Sequence, residues 1–348
     1  ISDGAQHNVV SDNVISGNGN DGVPIEGSGT MHNTVNRNHI GTNKNGTLPV
    51  GNELDGVYIS DGAQRNAVVD NLISGNGQHG IQIRSTGTMS NTISGNTIGA
   101  RVNGDSALPN GGYGVFIGDG ASYNLIGGRN GTPDTHCSGD CNLISGNSYG
   151  VNIEDVETIG NTISGNFIGT DIEGTTAIGN RLDAVGIWDA RYNVIGGDVP
   201  AERNLISGNG YGVAAYFSAK HNTILGNYIG TDVAGTADLG NYSYGVMFRS
   251  GAQDNLAEKN LIAYTKANET YPTQRPGPGV LILHENSVHN SLRQNRIHSN
   301  AEEGILLREG GNAELPAPAI TGVSSTSVNG TACAPCTVEL FSDEEDEG

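Results

Sequence analysis

Asn71-Leu72-Ile73-Ser74-Gly75-Asn76 decides the fold, because the chain keeps returning to it. Close copies begin at Asn13, Asn142 and Asn204, with a degraded copy at Asn260. A second phrase, Asn-x-x-x-x-Asn-x-Ile-Gly, begins at Asn33, Asn91, Asn161 and Asn222. Starts of the first phrase lie 58, 71, 62 and 56 residues apart, and those of the second 58, 70 and 61. Both series lengthen at the same place, so they are one repeat carrying an insertion. Self-similarity at such a period points to a stacked architecture.

Each repeat divides into two rungs. From Gly56 one reads Gly-Val-Tyr-Ile, then Asn66-Ala-Val-Val, then Asn71-Leu-Ile; from Gly80 the next reads Gly-Ile-Gln-Ile, Asn91-Thr-Ile-Ser and Asn96-Thr-Ile-Gly. Every rung holds three short segments with apolar residues at alternate positions, broken by Gly, Asn and Asp. Three unequal strands per turn of roughly 22 to 24 residues make a coil of a β-solenoid, not a hairpin. Stacking sets each strand parallel to its copy about 4.8 Å away. The handedness of parallel crossovers makes the helix right-handed. Gly-Val-x-Ile-like starts at Gly22, Gly56, Gly80, Gly114, Gly150, Gly212, Gly245 and Gly279, with Ala184 replacing the glycine once, predict nine to ten coils over residues 1–310.

The asparagines share strand parity with inward isoleucines, Asn91 with Ile93 and Asn96 with Ile98. They are expected at the corners, each amide satisfying its copy one coil away. Arms of about a dozen residues follow Gly41, Gly99, Gly169 and Gly230 and should pack as a ledge on one side. Their Asp-x-x-Gly pattern at Asp171 and Asp232 lacks the ligands of a cation loop. Residues 128–140 and 264–278 are separate loops. Residues 311–318 are a linker by composition, and 319–348 alternate like the start of a second, sandwich-like β domain. Ile1-Ser2-Asp3-Gly4-Ala5 repeats residues 59–63 and the tail stops just after a strand. A fragment with its export signal upstream is expected.

The 348 residues carry a formal charge of −20, which disfavours nucleic acid as a partner. No apolar run approaches the roughly 20 residues that span a membrane. The cysteines form two close pairs, Cys137/Cys141 and Cys333/Cys336, too far apart for one zinc site and without a thioredoxin-like context. Two local disulfides and an extracytoplasmic compartment are expected.

Valine and isoleucine of each coil's Gly-Val-x-Ile strand point inward, so the residues between and after them point out. One outward column includes Pro24, Tyr58, Gln82, Phe116, Asn152 and Gly186; the next includes Glu26, Arg84, Gly118, Glu154, Trp188, Tyr216 and Arg249. The only tryptophan therefore shares a face with three other large aromatics. Flat rings suit stacking on sugars, so Tyr58, Phe116, Trp188 and Tyr216, with Glu26 and Arg249, are expected to bind polysaccharide. Gly118 is expected to leave a hollow between Arg84 and Glu154.

The phrases NLISGN, NTISGNFIGTD, GTTAIGN and NVIGG, spread over nearly the whole chain, resemble bacterial right-handed parallel β-helix repeat proteins of the pectin-lyase-like superfamily. The likeness is greatest to secreted or cell-surface proteins in which such coils precede β-sandwich-like modules. The tail from Gly330 resembles the start of one. Relatives of this kind include lyases, hydrolases and epimerases of acidic polysaccharides, and adhesins. In the lyases a Lys or Arg removes the proton beside a uronate carboxyl. The resemblance thus implies Arg84 as base, and Ca²⁺ held by Glu154 with Asp119 or Asp155. A hydrolase would pair Glu154 with Asp119 or Asp189 at about 5 to 9 Å. The chain departs from the enzymes in lacking their Asp-Asp with Gly-His-Gly, Arg-x-Pro-x-x-Arg and Asp-Pro-His arrangements. A non-catalytic surface or adhesion module is therefore favoured, with a polysaccharide lyase or hydrolase as the alternative. A structural spacer, self-assembling through coil ends or edges, is the third reading.

Overall fold

The computed structural model describes residues 1–129, 135–267 and 277–332, apart from 315, 317 and 325. Thirty short strands form three parallel sheets of ten, and each coil gives one strand to each sheet. One coil, for example, consists of Ala67–Val69, Leu72–Ile73 and Ile81–Ile83. Alternation builds the core: Ile59, Ile83, Ile117, Ile153 and Ile187 follow one another in register and are fully buried. A one-residue slip would turn these columns outward, so burial pins the register of every coil. The tenth coil is completed by Ile305–Arg308, whose Gly-Ile-Leu-Leu start departs from the usual phrase.

Asparagine ladders hold all three corners. One passes through Asn33, Asn66, Asn91, Asn124 and Asn161, and a second through Asn38, Asn71, Asn96, Asn142 and Asn166. Each Oδ1 accepts two bonds from the asparagine one coil earlier: Asn124 gives its backbone N–H to Asn161 at 2.9 Å and its Nδ2–H at 3.1 Å. The Asn161 Nδ2–H in turn reaches the Ala121 carbonyl at 3.1 Å. Bends would otherwise leave these backbone groups buried and unpaired.

The third ladder explains the two kinds of rung. Asn76 and Asn147, which close their NxISGN-like phrases, alternate in it with Asn52, Asn110 and Asn180, which close arms. An arm is thus a detour that returns to the same corner. Within the arms Asp171 Oδ1 accepts the N–H groups of Thr175 and Thr176 at 2.8 and 3.0 Å, and Asp232 does the same for Thr236 and Ala237. These carboxylates close loops. Successive arms bond to one another, Ile172 N–H to Gly104 O and Val233 N–H to Gly174 O, both at 2.9 Å. The expected ledge forms, and under it Leu143, Phe167, Leu205 and Val233 bury a second apolar cluster. The Cys137–Cys141 disulfide belongs to that cluster, and Cys137 N–H bonds the arm at Ile172 O. Cys333 and Cys336 lie outside the described residues. After the coils, Ala319–Val323 and Val328–Thr331 pair antiparallel, a change of pairing sense from the parallel coil strands.

Replacing Asn161 by alanine would orphan two buried donors of Asn124. We predict a loss of roughly 2–5 kcal/mol in chemical denaturation; a change within about 0.5 kcal/mol would show that the ladder is passive.

Candidate functional site

The outer face of the third sheet is where the repeat varies. Its register bears out the first column: Tyr58 pairs with Gln82, Gln82 with Phe116, Phe116 with Asn152 and Asn152 with Gly186. In the second column Glu154 pairs with Trp188, Trp188 with Tyr216 and Tyr216 with Arg249. Glu26 sits at the N-terminal end of this column, facing Ser60.

A third column escaped the sequence reading. The middle strands, Tyr149–Glu154, Asp183–Trp188 and Tyr211–Tyr216, begin one residue before the position of the repeated glycine. That residue also points outward, which adds His79, Tyr113, Tyr149, Asp183, Tyr211 and Tyr244 to the face. The signal was present as Tyr-Gly-Val, recurring at 113, 149, 211 and 244.

The columns meet in a track of rings. His79 lies 5.0 Å from Tyr113, Tyr113 4.8 Å from Tyr149, Tyr149 6.2 Å from Trp188 and Trp188 5.9 Å from Tyr216, centroid to centroid. Phe116 stands 5.5 Å from Tyr113, and Phe217 6.5 Å from Trp188. Adjacent rungs bring the rings together, and each shields its neighbours; most are half-buried. Tyr58 lies two coils before Phe116 on the same face.

Beside the track Asp183 is buried and accepts hydroxyl hydrogens from Tyr216 at 3.0 Å and Tyr244 at 2.9 Å. The two hydroxyls also touch each other at 2.9 Å. Burial pushes the Asp183 carboxyl up to about 6, against the opposing pull of the two hydroxyl bonds. It raises Tyr216 and Tyr244 as well. Burial lowers the His79 imidazole to about 4, so it is neutral at pH 7, and raises Asp55 to about 6.

The residues expected to carry chemistry are placed otherwise. Arg84 is ion-paired with Asp119 of the next coil. Glu154 accepts from the Asn152 amide at 3.1 Å, and burial, then the neighbouring Asp155, raises its pKa. The hollow expected at Gly118 is occupied: a Cβ there would stand 2.6 Å from the Phe116 ring. Asp155 Oδ2 is taken by the Asp119 N–H at 2.8 Å, and Asp189 Oδ1 by the Ser218 N–H at 3.1 Å. Asp119, Glu154 and Asp155 do not converge as the expected calcium set; among the described residues no three His, Cys, Asp or Glu side chains do.

Gly186 leaves no hollow either: a Cβ there would stand 2.6 Å from Asn152 Oδ1 and 3.1 Å from Trp188 Nε1, and both of these atoms are buried without a partner. Farther toward the C-terminus a cavity of about 470 Å³ is lined by Tyr211, Tyr216, Tyr244, Arg249, His284 and Arg308 among others.

Coils of this construction define a right-handed parallel β-helix protein. Residues 1–98 match the family described as the right handed beta helix region. The fold is similar to the A-module of the Azotobacter vinelandii mannuronan C-5 epimerase AlgE4, at 13% identity over 86% of this chain and 78% of that one, with a TM-score of 0.52. It is also similar to the periplasmic alginate epimerase AlgG, at 12% identity over 79% of this chain, with a TM-score of 0.50. The match spans 51% of that second chain, about half its length. No curated protein sequence matches the chain. No helix among the described residues is long and apolar enough to cross a membrane.

A raised carboxyl binds its proton more tightly in the folded chain than in the unfolded one. Its contribution is therefore fully present below the ordinary carboxylate range near 4 and is lost as pH rises through about 6. Asp183→Asn should remove that slope. Denaturation midpoints measured from pH 4 to 7 should fall more steeply for the wild type than for the variant, whereas parallel curves would mean that Asp183 ionises normally.

Proposed function

We propose that this protein is an extracytoplasmic, surface or adhesion-type module that binds polysaccharide along the outer face of its third sheet without cutting the chain. The carrying observation is the continuous track of rings from His79 to Phe217 across consecutive coils. Rings at rung spacing on a rigid sheet offer successive apolar platforms to successive sugars, at little conformational cost on the protein side. Tyr58, Glu26 and Arg249 extend the surface toward its two ends. The buried disulfide suits an oxidising compartment. The names of the two similar structures, epimerases of mannuronan and alginate, agree with a polysaccharide ligand.

Cleavage at Arg84 and Glu154 has less support. An arginine is effectively always protonated and is a poor base, and this one is engaged by Asp119. The carboxylates that act on Glu154 are engaged elsewhere: Asp119 pairs with Arg84, Asp155 accepts from the Asp119 N–H and Asp189 from the Ser218 N–H.

The test incubates the protein with acidic and neutral polysaccharides, with and without Ca²⁺. Retention is read by pull-down, and product by absorbance of unsaturated ends and by reducing ends. Retention without product is expected, falling roughly 10-fold or more in Trp188→Ala and Tyr149→Ala. Product formation, or retention unchanged in both variants, would overturn the proposal.

A further inference from the structure

Beyond the ring track, three polar side chains line up at one corner of three consecutive coils. Ser250, His284 and Glu309 each follow directly on a third-sheet strand, after Val246–Arg249, Val280–Leu283 and Ile305–Arg308. Stacking brings them into contact. Ser250 Oγ lies 3.2 Å from His284 Nδ1, and His284 Nε2 lies 3.2 Å from Glu309 Oε2.

The chemistry of the three groups orders the protons. An ionised carboxylate only accepts, so a neutral His284 carries its hydrogen on Nε2, toward Glu309. Nδ1 is then the bare nitrogen, and the serine hydroxyl donates to it. A hydroxyl within reach of a base that is itself oriented by a third group is the arrangement of an activated nucleophile.

The surroundings suit one kind of reaction. His284 and Glu309 border the cavity of about 470 Å³, whose lining also includes Met247, Leu281, Leu283 and Leu306. Arg249, adjacent to Ser250 in the chain, borders the same cavity, is exposed, and has no ion-pair partner among the described residues. An apolar lining can take a short acyl chain, and a free guanidinium can face an oxygen that gains negative charge.

We propose that Ser250, His284 and Glu309 form an ester-hydrolysing site that removes short acyl groups from sugar hydroxyls. Ser250 Oγ adds to the ester carbonyl carbon while its proton passes to His284 Nδ1. The carbonyl oxygen becomes an oxyanion facing Arg249. As the intermediate collapses, the bond to the sugar oxygen breaks and that oxygen takes the proton from His284. Water then adds to the acyl-serine, with His284 again taking and returning a proton. The products are a free sugar hydroxyl and a carboxylic acid, and no other reactant is needed. The sugar half of the substrate rests on the glycan-binding reading; the serine chemistry does not.

The test therefore uses probes without a sugar. The full chain is treated with a fluorophosphonate and mapped by peptide mass spectrometry, and hydrolysis of p-nitrophenyl acetate is followed from pH 5 to 9. Label on Ser250 is expected, with none after denaturation. The rate should fall about 100-fold or more in Ser250→Ala and His284→Asn, and less in Glu309→Gln. Absence of label from native Ser250, or equal rates in wild type and Ser250→Ala, would overturn the proposal. The labelling arm needs no variant, so a substitution that fails to fold does not decide the matter. Polysaccharide retention on the same samples reads the binding proposal separately.

Discussion

A side-chain amide at each corner, taking the backbone N–H and the amide hydrogen of its copy one coil earlier, is the interaction on which the molecule depends. A coil this small must bend three times, and every bend turns a peptide group away from the sheet ladders. Asparagine closes that gap from inside: Asn161 serves Asn124, and the Ala121 carbonyl is served by Asn161. Ladder members are almost completely buried, so an interruption strands donors and acceptors where water cannot reach them. The frame is therefore intolerant at its corners and inward columns, and the outward columns are left free to vary.

That freedom is used unevenly. On the second sheet, outward residues are covered by the arms and become a second core with Leu143 and Phe167. On the third sheet the outward residues cover one another. The middle strands lengthen, rings from adjacent rungs touch, and Asp183 is buried under the hydroxyls of Tyr216 and Tyr244. A carboxyl held at such a place at a cost in stability, beside unpartnered polar atoms at Asn152 and Trp188, marks a surface shaped by something besides folding.

Much of this was legible in the sequence, for a physical reason. Side-chain parity has a period of two and the coils repeat, so placing Ile59 inside places Tyr58 outside and in line with Phe116. Column membership follows from counting. The Tyr113, Tyr149, Tyr211 and Tyr244 column is not reached by counting, because the glycine and the valine after each tyrosine both face the core and the alternation breaks there. What counting does not supply is how a side chain leans. Phe116 lies over Gly118, two residues ahead and just past the end of its strand, and fills the space that a bare glycine promised. Arg84 turns toward the carboxylate of the next coil. Ser250 and His284 are 34 residues apart in the chain and meet only because the coils place corner residues in succession.

The chain has one tryptophan, and it stands in the middle of the ring track. Titrating a retained polysaccharide against intrinsic tryptophan emission therefore tests most directly whether this face is the binding surface. Binding on this face predicts a saturable shift in emission whose midpoint agrees with that of retention. Saturable retention with unchanged emission would place the ligand elsewhere on the rod and contradict it.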